Sequence, residues 1–180
     1  MSTGTQPESF TGDWITPDHP SYSKAIARWA ANAERHAAAV AFVKNAQDVV
    51  IVLNHAKQHK SLIAIRGGGH SASGTSSIEG GIVIDLSRYL ADVRVDPVEK
   101  LAYVGGGAIW ETVDKTAIKH GLAAVAGTVN HVSSFRWFGF ILAYLIQRLV
   151  LEGAYLTATL DLTRSTASIL ASFLVGDTVS

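Results

Sequence analysis

The chain is 180 residues long, almost half of them apolar, with equal numbers of acidic and basic side chains. That composition describes a folded core rather than a disordered polymer, and a net charge of zero argues against nucleic acid or an anionic membrane surface as partner. The absence of cysteine removes disulfides, thiolate nucleophiles and cysteine-ligated metals, so redox chemistry would require a cofactor.

Residues 1–16 read as a polar arm without the basic start and apolar stretch of a secretory signal, which points to an intracellular protein. After the turn cluster Pro17-Asp18-His19-Pro20, the spacing of Ile26, Trp29 and Ala30 predicts an opening helix from Tyr22 to Ala31. Val40-Ala41-Phe42-Val43 suits a buried strand. Asn45, with Asp48 three residues on, is a helix start, and Val49, Val52, Leu53 and Ala56 then form a stripe that would cover a sheet. Leu62-Ile63-Ala64-Ile65 is the next strand, giving a strand-helix-strand unit with a right-handed, parallel crossover.

In open α/β arrangements ligands sit where loops leave the carboxyl ends of parallel strands, and the loop leaving here is Arg66-Gly67-Gly68-Gly69-His70-Ser71-Ala72-Ser73-Gly74. Three glycines allow close approach to the main chain, and their amides can form an anion-binding concavity. The hydroxyls of Ser71 and Ser73 and the charge of Arg66 would suit a pyrophosphate. No Gly-Lys-Ser/Thr follows and no clear helix opens, which excludes a P-loop and a Rossmann fingerprint.

Further on, Ile82-Val83-Ile84-Asp85-Leu86 is a strand. Val93 and Val95 alternate with polar residues, and Leu101-Ala102-Tyr103-Val104 resumes beyond Pro97, so a hairpin turning through Asp96 to Lys100 is expected, ending at Gly105-Gly106-Gly107. Trp110, Val113, Ala117 and His120 share a helical face closed by Gly121. At about Val132 the composition shifts to large apolar residues, then to a Thr/Ser-rich stretch. Phe138 to Leu151 is short for a bilayer span, so membrane association is not expected. His19, His36, His55, His59 and His120 lack metal-ligand spacing and read as solvated, Trp110 as core, and Asp85 and Ser87 as strand-end polar residues.

From Pro17 to His131 the ordered series resembles the berberine-bridge and 6-hydroxynicotine-oxidase family of FAD-linked oxidases, within the vanillyl-alcohol-oxidase-like flavoproteins. The resemblance is carried by Asp18-His19-Pro20-Ser21-Tyr22, Lys44-Asn45-Ala46-Gln47-Asp48-Val49, the glycine loop, Ile82 to Ser87, Arg94-Val95-Asp96-Pro97, Gly105 to Trp110, and Gly127-Thr128-Val129-Asn130-His131. It implies an α+β fold of the PCMH type, with a small parallel βαβ subdomain and an antiparallel portion.

The resemblance further implies FAD as cofactor, covalently linked once, through His70. Arg66, Gly67, Gly68, Gly69, Ser71, Ser73 and Gly74 would line the first flavin loop, and Gly127, Thr128, Asn130 and His131 the second. Val129 stands where some members carry a second, cysteinyl link. Oxygen would be the electron acceptor and a small molecule, not identifiable from these residues, the substrate. Neither metal nor nucleic acid is implied.

The pattern stops abruptly after His131. The expectation is three segments: the arm 1–16, an incomplete FAD-binding domain 17–131, and a divergent tail 132–180 that is not family sequence. On this reading the chain is a truncated member lacking the substrate domain, or else a non-catalytic flavin-binding fragment or interaction remnant.

Overall fold

A computed structural model of the chain describes residues 4–123, 129–132, 158–161 and 169–170. They fall into two compact units, 1–90 and 91–180.

The first unit is a four-stranded sheet in the order β1 (Asp13–Ile15), β2 (Ala39–Phe42), β4 (Ile82–Asp85), β3 (Ile63–Arg66). β2 and β3 both run parallel to β4, and β1 is antiparallel to β2. The strand-helix-strand unit read from Val40 to Ile65 is therefore parallel, but β4 is inserted between its two strands. β2 and β4 are buried along their whole length, as expected of continuous apolar runs in a sheet covered on both faces. Alternation divides their side chains: Val40, Phe42, Ala64 and Val83 join a core with Tyr22, Ala25 and Ile26, while Ala41, Val43, Ile82 and Ile84 pack with the helix stripe.

Helix α2 (Ala46–Gln58) supplies that stripe, with Val52 and Ala56 buried and Val49 and Leu53 packed beside them. The Asp48 amide donates to the Asn45 side chain at 2.9 Å, making Asn45 the helix cap the sequence anticipates. The Asp48 carboxylate is itself buried and accepts from the amides of Thr11 and Lys44 and the Thr11 hydroxyl.

Helix α1 (Tyr22–Ile26) is shorter than its sequence pattern suggests, because the Arg28 guanidinium donates to the carbonyls of Ala25, Ile26 and Ala27. Carbonyls that would continue the helix are taken up by that side chain, and Trp29 emerges exposed rather than on a helix face.

In the second unit β5 (Val93–Asp96) and β6 (Leu101–Val104) form the expected antiparallel hairpin. β6 also pairs with β7 (Ala158–Asp161), and β7 with β8 (Ile169–Leu170). Helix α3 (Trp110–Ala117) buries Trp110, Val113 and Ala117, the first two in a cluster with Ala102 and Val104, which bears out Trp110 as core. A short 3-10 turn follows and Gly121, at φ +67°, closes it. His120 lies in that turn and is exposed, in keeping with its reading as solvated, and the tighter turn rotates it off the helical face of Trp110, Val113 and Ala117.

Candidate functional site

The loop after β3 begins where three strand ends are level, with Phe42 and Arg66 each opposite Asp85. Asp85 is completely buried, a costly place for a carboxylate, and its partners account for it. One oxygen accepts from Arg66 Nη1 at 2.9 Å, and the other from the amide and hydroxyl of Ser87 at 2.8 and 2.6 Å. The same Arg66 nitrogen donates to the Ala25 carbonyl. Arg66 thus spends its charge on Asp85 beneath the loop, where the sequence reading had set it against a phosphate. Its Nε is nevertheless buried with no hydrogen-bond partner among the described residues.

Gly69 sits directly over that nitrogen. Its φ is +71°, and a Cβ there would lie 2.9 Å from Arg66 Nε, so both backbone and space require glycine. Among the described residues no hydrogen bond takes up the amides of Gly67, Gly68 or Gly69. The Gly69 carbonyl, in contrast, accepts from Trp29 N–H at 3.3 Å. Donors without protein acceptors beside a partly buried arginine are what an anion site requires.

The remaining loop residues are held among themselves. Ser71 and Ser73 hydroxyls lie 2.9 Å apart, Thr75 donates to Ser71, and Gly74, at φ +77°, makes the turn between Ser71 and Ser77. His70 is partly buried, and its ring stacks on that of Trp29.

Two contributors escaped sequence reading. Arg28 donates through Nε and Nη2 to the Ser76 carbonyl, closing the far side of the loop. Burial, and then the charge of Arg66, push its pKa down to about 10, so it remains charged at neutral pH. Trp29 was placed on a helix face. An Arg-Trp pair after a short helix carries no local signature of that role.

Of the second loop, Gly127 and Thr128 lie outside the described residues. The Asn130 carbonyl accepts from the Glu111 amide at 2.8 Å and the Val132 carbonyl from the Trp110 amide at 3.1 Å. These bonds occupy first-turn amides of α3, whose cap residue Ile109 has no side-chain acceptor. His131 Nδ1 is 3.7 Å from Glu111 Oε2. The Lys115 ammonium, then the other charges nearby, hold the Glu111 carboxyl below its usual range. The two loops belong to different units.

Of the other histidines, His19 and His36 are exposed, but His55 is buried, edge-on to Trp14 and 4.4 Å from the ring of His59. That corrects its reading as solvated: the polar ring lies on the covered side of α2. Among the described residues no three His, Asp or Glu side chains form a metal-binding group, and no helix is long and apolar enough to cross a membrane. Phe138 to Leu151 lies outside the described residues.

A parallel strand whose carboxyl end runs into a glycine-rich loop and then an imidazole defines an α+β domain, with that loop where such sheets commonly take ligands. Comparison specifies the cofactor: residues 37–133 match the FAD binding domain family, and the chain belongs to it. It is 35% identical to the FAD-linked oxidoreductase YgaK of Bacillus subtilis over 68% of this chain and 27% of that protein. Identity to (R)-6-hydroxynicotine oxidase of Paenarthrobacter nicotinovorans is 33%, over 67% of this chain and 26% of that one. The crystal structure of 6-hydroxy-D-nicotine oxidase from Arthrobacter nicotinovorans superposes with a TM-score of 0.68 at 32% identity, over 72% of this chain and 28% of that one. The fold is thus that of the PCMH-type FAD-binding oxidoreductases, and the chain spans about a quarter of the length of the relatives it matches.

Proposed function

We propose that the chain binds FAD with its diphosphate on the amides of Gly67, Gly68 and Gly69 and its ring system tethered by one covalent bond to His70. In the whole protein it would serve a flavin-linked oxidase acting on a small molecule with dioxygen as acceptor. The observation that carries the reading is the loop itself: among the described residues three successive glycine amides have no acceptor, Gly69 lies against a buried Arg66 Nε that also lacks one, and a histidine follows at once. An anion at that point would supply the acceptors these donors lack. Ser71 and Ser73, bonded to each other, can turn their hydroxyl protons toward the same ligand.

The flavin supplies the two-electron chemistry when bound, and the chain positions it. Tethering would join a ring nitrogen of His70 to the flavin's 8α-methyl carbon, each giving up one hydrogen, with dioxygen as the two-electron oxidant that would leave as hydrogen peroxide. This chain contains no cysteine and so offers no residue for a second, cysteinyl bond. Asn130 and His131 would contribute from the second loop, where their backbone and side chain already engage the start of α3.

The test is mass spectrometry of the intact chain after incubation with FAD in air, followed by acid precipitation and peptide mapping. The expected result is a yellow pellet and one FAD-sized addition on the His70 peptide, lost in His70→Ala. An unmodified mass, or an addition mapped to another residue, would overturn the assignment.

A further inference from the structure

We infer that Trp29 is a positioning residue for His70, a fixed aromatic shelf that holds the imidazole in the attitude from which it meets the flavin; this rests on His70 being the attachment point. The rings of Trp29 and His70 stack with centroids 5.7 Å apart and planes inclined by 27°. Trp29 is 73% exposed, so no core holds its indole.

The backbone that carries the indole is itself held to the loop. The Trp29 amide donates to the Gly69 carbonyl at 3.3 Å, and the neighbouring Arg28 grips the Ser76 carbonyl through Nε and Nη2. The third to fifth bonds of Arg28, to Ala25, Ile26 and Ala27, stiffen the segment that leads into Trp29. The Arg28–Trp29 segment is therefore tied to the flavin loop on both sides of His70, by the Trp29 amide at Gly69 and by the Arg28 side chain at Ser76.

An imidazole has two side-chain bonds to rotate about, and only some rotamers present a ring nitrogen to a methyl carbon. A flat partner that moves with the loop removes the unproductive rotamers without donating a proton or a charge. The length of Arg28 and the tight turn at Gly69 thereby acquire a common purpose: they deliver the indole to the imidazole.

The experiment uses the full chain and the variants Trp29→Leu, Trp29→Phe and His70→Ala. Without flavin, the His70 ring-proton resonances, assigned by their loss in His70→Ala, should lie upfield under the indole ring current. They should move to the positions of an unstacked imidazole in Trp29→Leu and stay partly shifted in Trp29→Phe. With saturating FAD in air, acid-stable attachment followed by intact mass should slow about tenfold in Trp29→Leu, while Trp29→Phe stays within about threefold of the native rate. Trp29→Leu resonances identical to native, or native attachment in Trp29→Leu, would overturn the role of Trp29 while leaving His70 as the anchor. A native chain that acquires no acid-stable flavin would instead sink the anchor, and this inference with it.

Discussion

At the scale of single residues, the cradle depends on one backbone conformation and one buried ion pair. Gly69 and Gly80 both sit at positive φ, but a Cβ on Gly80 meets nothing within 4 Å, whereas one on Gly69 faces Arg66 Nε. Left-handed backbone costs a non-glycine residue about 1–2 kcal/mol. Gly80→Ala should therefore lose about that much stability, and Gly69→Ala should lose more, because Arg66 is locked to Asp85 and yields only by weakening that pair. Urea midpoints at unchanged slope would measure the difference, and equal losses would show that Arg66 moves freely. The glycine triplet and His70 were plain in sequence because their chemistry is local. Arg66 was legible as a charge near the loop, but its pairing with Asp85, nineteen positions away, was not. Strand register makes that pair, and register follows from how strands assemble.

At the scale of elements, α2 positions β2 and β3 around β4, and its start is governed by Asn45. Removing a side-chain cap of this kind costs about 1 kcal/mol. Asn45→Ala should lower the thermal midpoint accordingly, and Asn45→Asp, which keeps the acceptor, should recover most of it. A full-sized loss in both would mean that the cap bond carries none of the stability. The start of α2 and the β5–β6 hairpin followed from the cap and apolar spacing, whereas α3 ends at Ala117 and a 3-10 turn separates it from Gly121. Helix α1 did not, since Arg28 ends it by reaching back to carbonyls within its own segment, a choice of side-chain direction with no periodic mark. His55 shows the same limit: helical spacing gives its face, but only the approach of Trp14 covers it.

At the scale of the whole molecule, a ligand that binds the folded state alone raises its stability by mass action, by about 2.7 kcal/mol at a hundredfold excess over Kd. Before any covalent bond forms, FAD under anaerobic conditions should raise the melting temperature of the native chain in proportion to the logarithm of its concentration. Gly69→Ala should respond less at every concentration. A melting temperature indifferent to FAD would show that the cradle does not hold it. Since tethering consumes dioxygen, admitting air should convert this concentration-dependent shift into one that survives removal of free FAD.

By itself the amino-acid sequence determined which segments pair apolar faces, where the loop rich in glycine falls and which family the ordered motifs resemble, because each depends on neighbours within a few residues. Tertiary structure alone decided that β4 lies between β2 and β3, that Asp85 neutralises Arg66 beneath the cradle, and that Arg28 and Trp29 close over it. Those contacts join residues nineteen to forty-eight positions apart. Their energies arise only after the sheet has brought the segments together and excluded water from between them.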